Sequence, residues 1–249
     1  MSTDGRFYPG YTLVMAHRGA RGLAPENTLA AFRMAIDVGA DAIELDVQPC
    51  ATGELVVIHD HTLDRTTNGS GPVSEATFSA LRALDAGAWF GAQYAGECIP
   101  TPGEALDLAR GRLKVNIEIK TSGPEDLGVE AGLVEAIRER HMEGDVLISS
   151  FNPAALLRMR TLAPALPRAL IYGSLQGFPL NLEALGLAAL HPHYRLVHAA
   201  MVEMARSRGY AVNAWTVNEA GDMREMLALG LDAITTDHPE RLRALLPKG

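Results

Sequence analysis

Five ionisable side chains, His17, Glu44, Asp46, His59 and Glu118, each sit in or just after a short apolar run: VMAHRG, AIELDV, LVVIHD and VNIEIK. Runs so rich in Val and Ile favour strands, and an ionised group taken out of water there costs roughly several kcal/mol. Acids gathered in such surroundings survive by holding a cation or by doing chemistry. Glu44, Asp46 and Glu118 together make an all-oxygen donor set, which favours one divalent cation, Ca2+, Mg2+ or Mn2+, over zinc. His17 and His59 titrate near neutrality and suit proton transfer in either direction. Arg18 offers a planar fork that matches phosphate oxygens. The competing account is an internal salt-bridge network in which Arg18 and Lys120 neutralise the acids. Three acids against two cations leave an excess of negative charge, which favours the metal.

The elements that position these groups can be read from periodicity. Residues two apart in a strand share a face, so Glu44 pairs with Asp46 and Glu118 with Lys120, while Leu45, Ile117 and Ile119 turn the other way. Strand-like runs near 12–17, 41–47, 114–120, 146–151, 168–172, 187–191, 211–217 and 233–236 alternate with amphipathic segments near 28–38, 103–109, 126–141, 153–163, 197–208, 220–228 and 239–246. Eight strands in 249 residues predict a single α/β domain, a (β/α)8 TIM barrel, whose active sites lie at the carboxyl ends of the strands. No glycine-rich dinucleotide fingerprint or Walker loop supports a doubly wound sheet. The run ELVVIHD at 54–60 follows the second strand too closely for a parallel crossover, so it is expected to return as a hairpin arm above the barrel mouth. Residues 61–102 form a small insertion after it, expected to face substrate as a lid or to pack as a loop. Because His17 and Arg18 are neighbours, both reach one site only if the strand ends near His17, and Gly19 is consistent with that.

Composition narrows the classes. With 22 Lys and Arg against 30 Asp and Glu, the net charge is −8, which excludes a broad nucleic-acid footprint and a stable association with anionic membranes. Hydrophobic residues make up 47%, ample for a core, yet no run reaches the length of a membrane span. The opening residues lack a basic stretch followed by an apolar one, so a cytoplasmic location is expected. Cys50 and Cys98 have no metal-type spacing and are expected to be ordinary thiols.

Taken in order, HRG at 17–19, PENT at 25–28, ELDV at 44–47, HD at 59–60, EIK at 118–120 and WTVN at 215–218 resemble the glycerophosphodiester phosphodiesterase family over nearly the whole chain, from about 12 to 240. The resemblance implies a barrel enzyme that uses one divalent cation to hydrolyse a small-molecule glycerophosphodiester to glycerol 3-phosphate and an alcohol. It assigns acid–base catalysis to His17 and His59, the metal to Glu44, Asp46 and Glu118, phosphate to Arg18 and Lys120, and the glycerol side of the pocket to Trp215. First attack by the glycerol hydroxyl, giving a cyclic phosphate, and direct attack by water are both compatible with these residues.

Three other readings compete. A related phospholipase D-like lyase would stop at a cyclic phosphate, but no basic amphipathic segment for an acyl substrate stands out. A non-catalytic phosphate-ester binding barrel could dispense with a proton carrier, whereas both histidines are present. An aldolase or sugar isomerase would call on Lys120 as a Schiff base, yet Lys120 lies two residues from an acid and suits a phosphate clamp. Weaker expectations attach to nearby residues. Asn27 and Asp237 read as helix caps, Glu26 stands at the entry to the first helix, His191 and His193 line the rim, and His61, His141, His198 and His238 have no constellation around them.

Overall fold

The computed structural model describes residues 7–121, 128–176 and 181–247. Its elements run β1 (Leu13–Ala16), α1 (Leu29–Asp37), β2 (Ala42–Pro49), β3 (Leu55–Val57), α2 (Phe78–Arg82), α3 (Pro102–Ala109), β4 (Lys114–Ile119), α4 (Val129–Glu139), β5 (Val146–Ser150), α5 (Pro153–Leu162), β6 (Arg168–Tyr172), β7 (Ala189–Pro192), α6 (Ala199–Ser207), β8 (Ala211–Ala214), α7 (Ala220–Ala228), β9 (Ala233–Thr236) and α8 (Pro239–Leu245). Eight of these strands are parallel neighbours, and pairing of β1 with both β2 and β9 closes the ring. The expected TIM barrel is therefore present. So is the hairpin: β3 lies antiparallel on β2, with Val47 opposite Val57. Part of the 126–141 helix expectation falls on residues 122–127, outside the described residues.

Alternation along the strands divides the core. Ile43, Leu45 and Val47 of β2 and Val115, Ile117 and Ile119 of β4 point outward into the apolar layer beneath the helices. Leu13, Met15, Ala42, Leu147, Ala169, Ala189 and Ala233 point inward and fill the lower barrel, with Phe7 packed against them. Polar residues of the same inward faces occupy the levels above.

Helix starts follow local chemistry. Thr101 and Glu104 form a capping box on α3, and Asn152 caps α5 ahead of Pro153, as expected. Two expected caps are corrected. Thr28, not Asn27, caps α1 by accepting from the Ala31 amide. Asp237 does not cap α8, whose N-cap position is His238. Asn27 adopts φ +56, a left-handed turn conformation in which its side chain leaves the helix and turns toward β2.

The insertion packs with the β2–β3 hairpin around an apolar cluster of Cys50, Val56, Ile58, Leu63, Val73, Leu81, Ala86 and Ile99. Trp89, Phe90 and Tyr94 stack edge to face, and the Tyr94 hydroxyl donates to the Leu23 carbonyl at 3.0 Å. Glu97 accepts from the Ala30 amide. These contacts fasten the insertion to the segment between β1 and α1 and to the first turn of α1. Cys50 and Cys98 are free thiols. Among the described residues, no helix is long and apolar enough to cross a membrane.

Candidate active site

β1 ends at Ala16, and the turn that follows takes Arg18 to φ +50 and Gly19 to φ +79. A Cβ on Gly19 would lie 2.7 Å from the Ala31 Cβ, so only glycine lets the turn lie against α1. The left-handed turn solves the geometric problem posed by adjacent His17 and Arg18: both side chains reach the mouth, and the Arg18 amide donates to Glu44 Oε2 at 2.9 Å.

Asp46 and Glu118 are register partners across β2 and β4, with Glu44 opposite Asn116 one level below. Carboxylate oxygens of Glu44, Asp46 and Glu118 lie within 4.8 Å of one another, and all three residues are buried. Burial, then the charges of Asp46 and Glu118, push Glu44 well above the usual carboxylate range. Burial and the Asp46 charge push Glu118 up to about 7. Asp46 moves the other way: burial opposes ionisation, but Arg18, Lys120 and His59 outweigh it and hold its carboxyl below the ordinary value. Its Oδ2 accepts from Asn27 Nδ2 at 2.8 Å, while its buried Oδ1 has no hydrogen-bond partner. Converging acids of this kind, with one orphaned oxygen, fit a hard divalent cation.

Lys120 Nζ donates to Glu118 Oε1 at 2.8 Å and lies 3.5 Å from Asp46. Arg18 Nη1 donates to Glu26 Oε1 at 2.8 Å, and its Nε lies 3.4 Å from Asp46. Arg21 and Arg65 add positive charge, but they face Glu26, Asp60 and Asp237, so the negative excess persists.

Each histidine is held from behind. His17 Nδ1 donates to Asp237 Oδ1 at 2.6 Å, and its Nε2 sits 3.9 Å from Glu44. Asn218 fixes that aspartate by donating to Oδ2 and accepting from the Asp237 amide. Burial pushes Asp237 up, but the His17 hydrogen bond and charge bring it down to about 2. His59 follows β3, and its Nδ1 donates to Asp60 Oδ1 at 2.7 Å. Burial lowers both imidazoles below the ordinary histidine value, His17 despite Asp237 and His59 despite Asp46. With Nδ1 engaged by a carboxylate, each ring leaves Nε2 for a reacting partner.

His17, Arg18, Glu44, His59, Glu118 and Lys120 border a pocket whose lining also includes Phe151, His191 and Trp215. Trp215 donates from Nε1 to the His191 carbonyl at 2.7 Å and stacks edge-on against Phe151 and His193. His191 is a buried floor residue bonded to the Tyr8 hydroxyl, and burial alone brings it down to about 3. His193 reaches the rim only through Trp215. Of the remaining histidines, His198 caps α6 and His61 bonds Gln48.

The structure thus gathers His17, Arg18, Glu44, Asp46, His59, Glu118, Lys120 and Trp215 at one mouth. It does not bring the insertion there: no residue of 61–102 lines this pocket, contrary to the expected substrate-facing role. The reason is that β3 turns back along β2, so the following chain packs behind His59, where Thr66, Thr67, Ala86 and Ile99 enclose a separate small cavity. Asp60, Asp237, Asn218 and Phe151 were missed as site residues. The HD pair at 59–60 was the one local signal for an aspartate beside a histidine.

A closed parallel barrel that carries buried acids, carboxylate-held imidazoles and cations at the carboxyl ends of its strands defines a (β/α)8 enzyme. The profile of the glycerophosphoryl diester phosphodiesterase family matches residues 17–241, and the chain belongs to that family. It is 44% identical over 241 residues to a glycerophosphodiester phosphodiesterase of Caldanaerobacter subterraneus subsp. tengcongensis, covering 96% of this chain and 99% of the relative. It is 34% identical to the glycerophosphodiester phosphodiesterase of Bacillus subtilis, covering 93% and 85%. Among solved structures, an Oleispira antarctica phosphodiesterase in complex with the product sn-glycerol-3-phosphate superposes with a TM-score of 0.86 at 34% identity, covering 92% of this chain and 94% of that one.

Proposed function

We propose that this enzyme hydrolyses glycerophosphodiesters to glycerol 3-phosphate and an alcohol, with one divalent cation held by Glu44, Asp46 and Glu118 and with His17 and His59 as the proton carriers. The observation that carries this reading is a cluster of three buried carboxylates within 4.8 Å of one another, two of which, Glu44 and Glu118, line one pocket with two aspartate-held imidazoles. The family and the product named for the Oleispira structure support the substrate class. Free thiols suit a reducing compartment, which supports placing the enzyme in the cytoplasm.

A divalent cation at the acidic cluster would supply positive charge against the phosphoryl oxygens. Arg18 and Lys120 stand beside the cluster and donate to the remaining phosphate oxygens, offsetting the charge that grows there during displacement. One imidazole, neutral, takes the proton of the attacking hydroxyl on Nε2, and the other, entering the step as the imidazolium, gives its Nε2 proton to the departing alkoxide. Asp237 and Asp60 pin Nδ1 of each ring, so that proton traffic passes through Nε2. Trp215 and Phe151 present an apolar wall suited to the carbon face of glycerol.

The decisive assay is release of glycerol 3-phosphate from glycerophosphocholine and glycerophosphoethanolamine after EDTA treatment and after adding back Ca2+, Mg2+ or Mn2+. Release restored by a cation is expected, and its failure with both diesters would overturn the proposal. Accumulation of a cyclic phosphate would point to the lyase instead.

Proton linkage gives a second expected result. Glu118 and Glu44 both carry folded-state pKa values above those of the unfolded chain, and the stability Glu118 contributes is present below about pH 4.5 and lost as pH rises through about 7. A cation must displace those protons. Its affinity is therefore expected to rise from pH 5 to 8, and binding near pH 6 to release protons. Calorimetry in two buffers of different ionisation enthalpy measures this; identical heats would show that the acids are already ionised.

A further inference from the structure

We propose that Arg65, in the insertion and outside the pocket, is a positioning residue that sets two groups of the active site at once: His59 through Asp60, and Arg18 through Glu26. The inference rests on the roles given above to His59 and Arg18.

Arg65 spends its whole guanidinium on two carboxylates. Nε donates to Asp60 Oδ2 at 2.6 Å, and Nη1 and Nη2 donate to Glu26 Oε2 and Oε1 at 2.9 and 2.8 Å. The other oxygen of Asp60 holds His59 Nδ1 at 2.7 Å, and Glu26 Oε1 also accepts Arg18 Nη1 at 2.8 Å. Two unbroken chains of hydrogen bonds therefore lead from Arg65, one to an imidazole and one to a phosphate-binding guanidinium.

Exposed ion pairs are ordinarily worth little, but this one differs at its far end. The Glu26 side chain is only 3% exposed, so its charge depends on its arginines rather than on water. Arg21 is its only other ion-pair partner among the described residues, at 3.5 Å. Without Arg65, Glu26 would draw harder on Arg18 and Arg21, and Asp60 would be free to rotate away from His59.

The backbone around Arg65 is built to hold it still. Thr66 and Thr67 are buried, and Thr67 bonds back to the Leu63 carbonyl through both its amide and its hydroxyl. The insertion is itself fastened to the β1–α1 segment that carries Glu26 through Tyr94, and to α1 through Glu97. The excursion is thus a brace behind the site. Lysine cannot replace Arg65, because one ammonium does not reproduce a fork on Glu26 and a third donor on Asp60.

The test compares wild type, Arg65→Met, Arg65→Ala, Arg65→Lys, His59→Ala and the Arg65→Met/His59→Ala double variant, with thermal unfolding as a check on folding. Arg65→Met is expected to lower kcat by about 10²-fold, the usual effect of misplacing a reacting group by about 1 Å, and Arg65→Lys to recover little of it. In the His59→Ala background the same substitution should cost markedly less, because the part acting through Asp60 is already gone. Guanidinium ion added to Arg65→Ala should restore turnover saturably, which a general loss of stability would not permit. Independently of turnover, long-range 1H–15N NMR should find His59 as a single Nδ1–H tautomer in wild type and as a mixture in Arg65→Met. An unchanged His59 tautomer together with kcat within about twofold of wild type, well short of the about 10²-fold expected, would overturn the inference while leaving the hydrolase reading intact. An inactive wild type would defeat that reading, and the tautomer comparison would still decide the role of Arg65.

Discussion

Replacement of His17 by alanine is expected to slow glycerol 3-phosphate release by about 10²–10⁴-fold, the range for removing a general acid or base, and His59→Ala to do the same. The two losses should not multiply. Once one proton carrier is missing, the displacement is limited by the uncompensated proton, and removing the other costs less than it does alone. The hydrogen bonds behind the rings sharpen the expectation. Asp237 keeps its two bonds to Asn218 when His17 is truncated, so the last strand retains its anchor and the variant should stay folded. Loss of kcat with KM nearly unchanged is the expected pattern, since neither imidazole carries the fixed positive charge that binds phosphate. A His17→Ala enzyme with wild-type kcat would sink the assignment, whatever its stability.

Asp46→Asn is expected to abolish cation-dependent activity and to weaken divalent-cation binding by well over 10-fold, the lower end of what losing even an outer partner costs. The substitution keeps volume and keeps an acceptor for Asn27, but removes the charge that Arg18 and Lys120 face. Two effects on the cation-free protein oppose each other. Arg18 and Lys120 lose a buried counter-charge, which destabilises. Glu44 and Glu118 lose the like charge that helps to raise them, which stabilises and lets both ionise more readily. Cation-free stability should accordingly change far less than activity does. The diagnostic measurement is the rise in Tm on adding Ca2+ or Mg2+, present in wild type and absent in Asp46→Asn. A full rise in the variant would mean that the cation binds elsewhere.

The barrel was legible because its signals are local. Alternation placed Glu44 and Asp46 on one face and Leu45 on the other, and the same rule sorted Glu118 from Ile117 and Ile119. The hairpin was legible because a five-residue link cannot carry a parallel crossover. Asp237 was not, because an aspartate shortly before a proline has the local pattern of a helix start. Only the register of β1 on β9, with Ala16 opposite Thr236, carries it to His17 across 220 positions of sequence. Asn27 was misread for a related reason: its left-handed turn depends on Arg18 and Asp46 rather than on its sequence neighbours. The insertion's direction was hidden because its length said only that it should matter, not which side of His59 it would support.

The pairing of β1 with β9 also bears on how the enzyme is made. His17 leaves the ribosome early and Asp237 late, and the hydrogen bond between them spans the seam where the ring shuts. β2 and β4, which carry Glu44, Asp46 and Glu118, pair side by side and are both synthesised well before β9 and the Asp237 that orients His17. If His17 carries a proton as proposed, turnover requires the closed ring and so reports its closure.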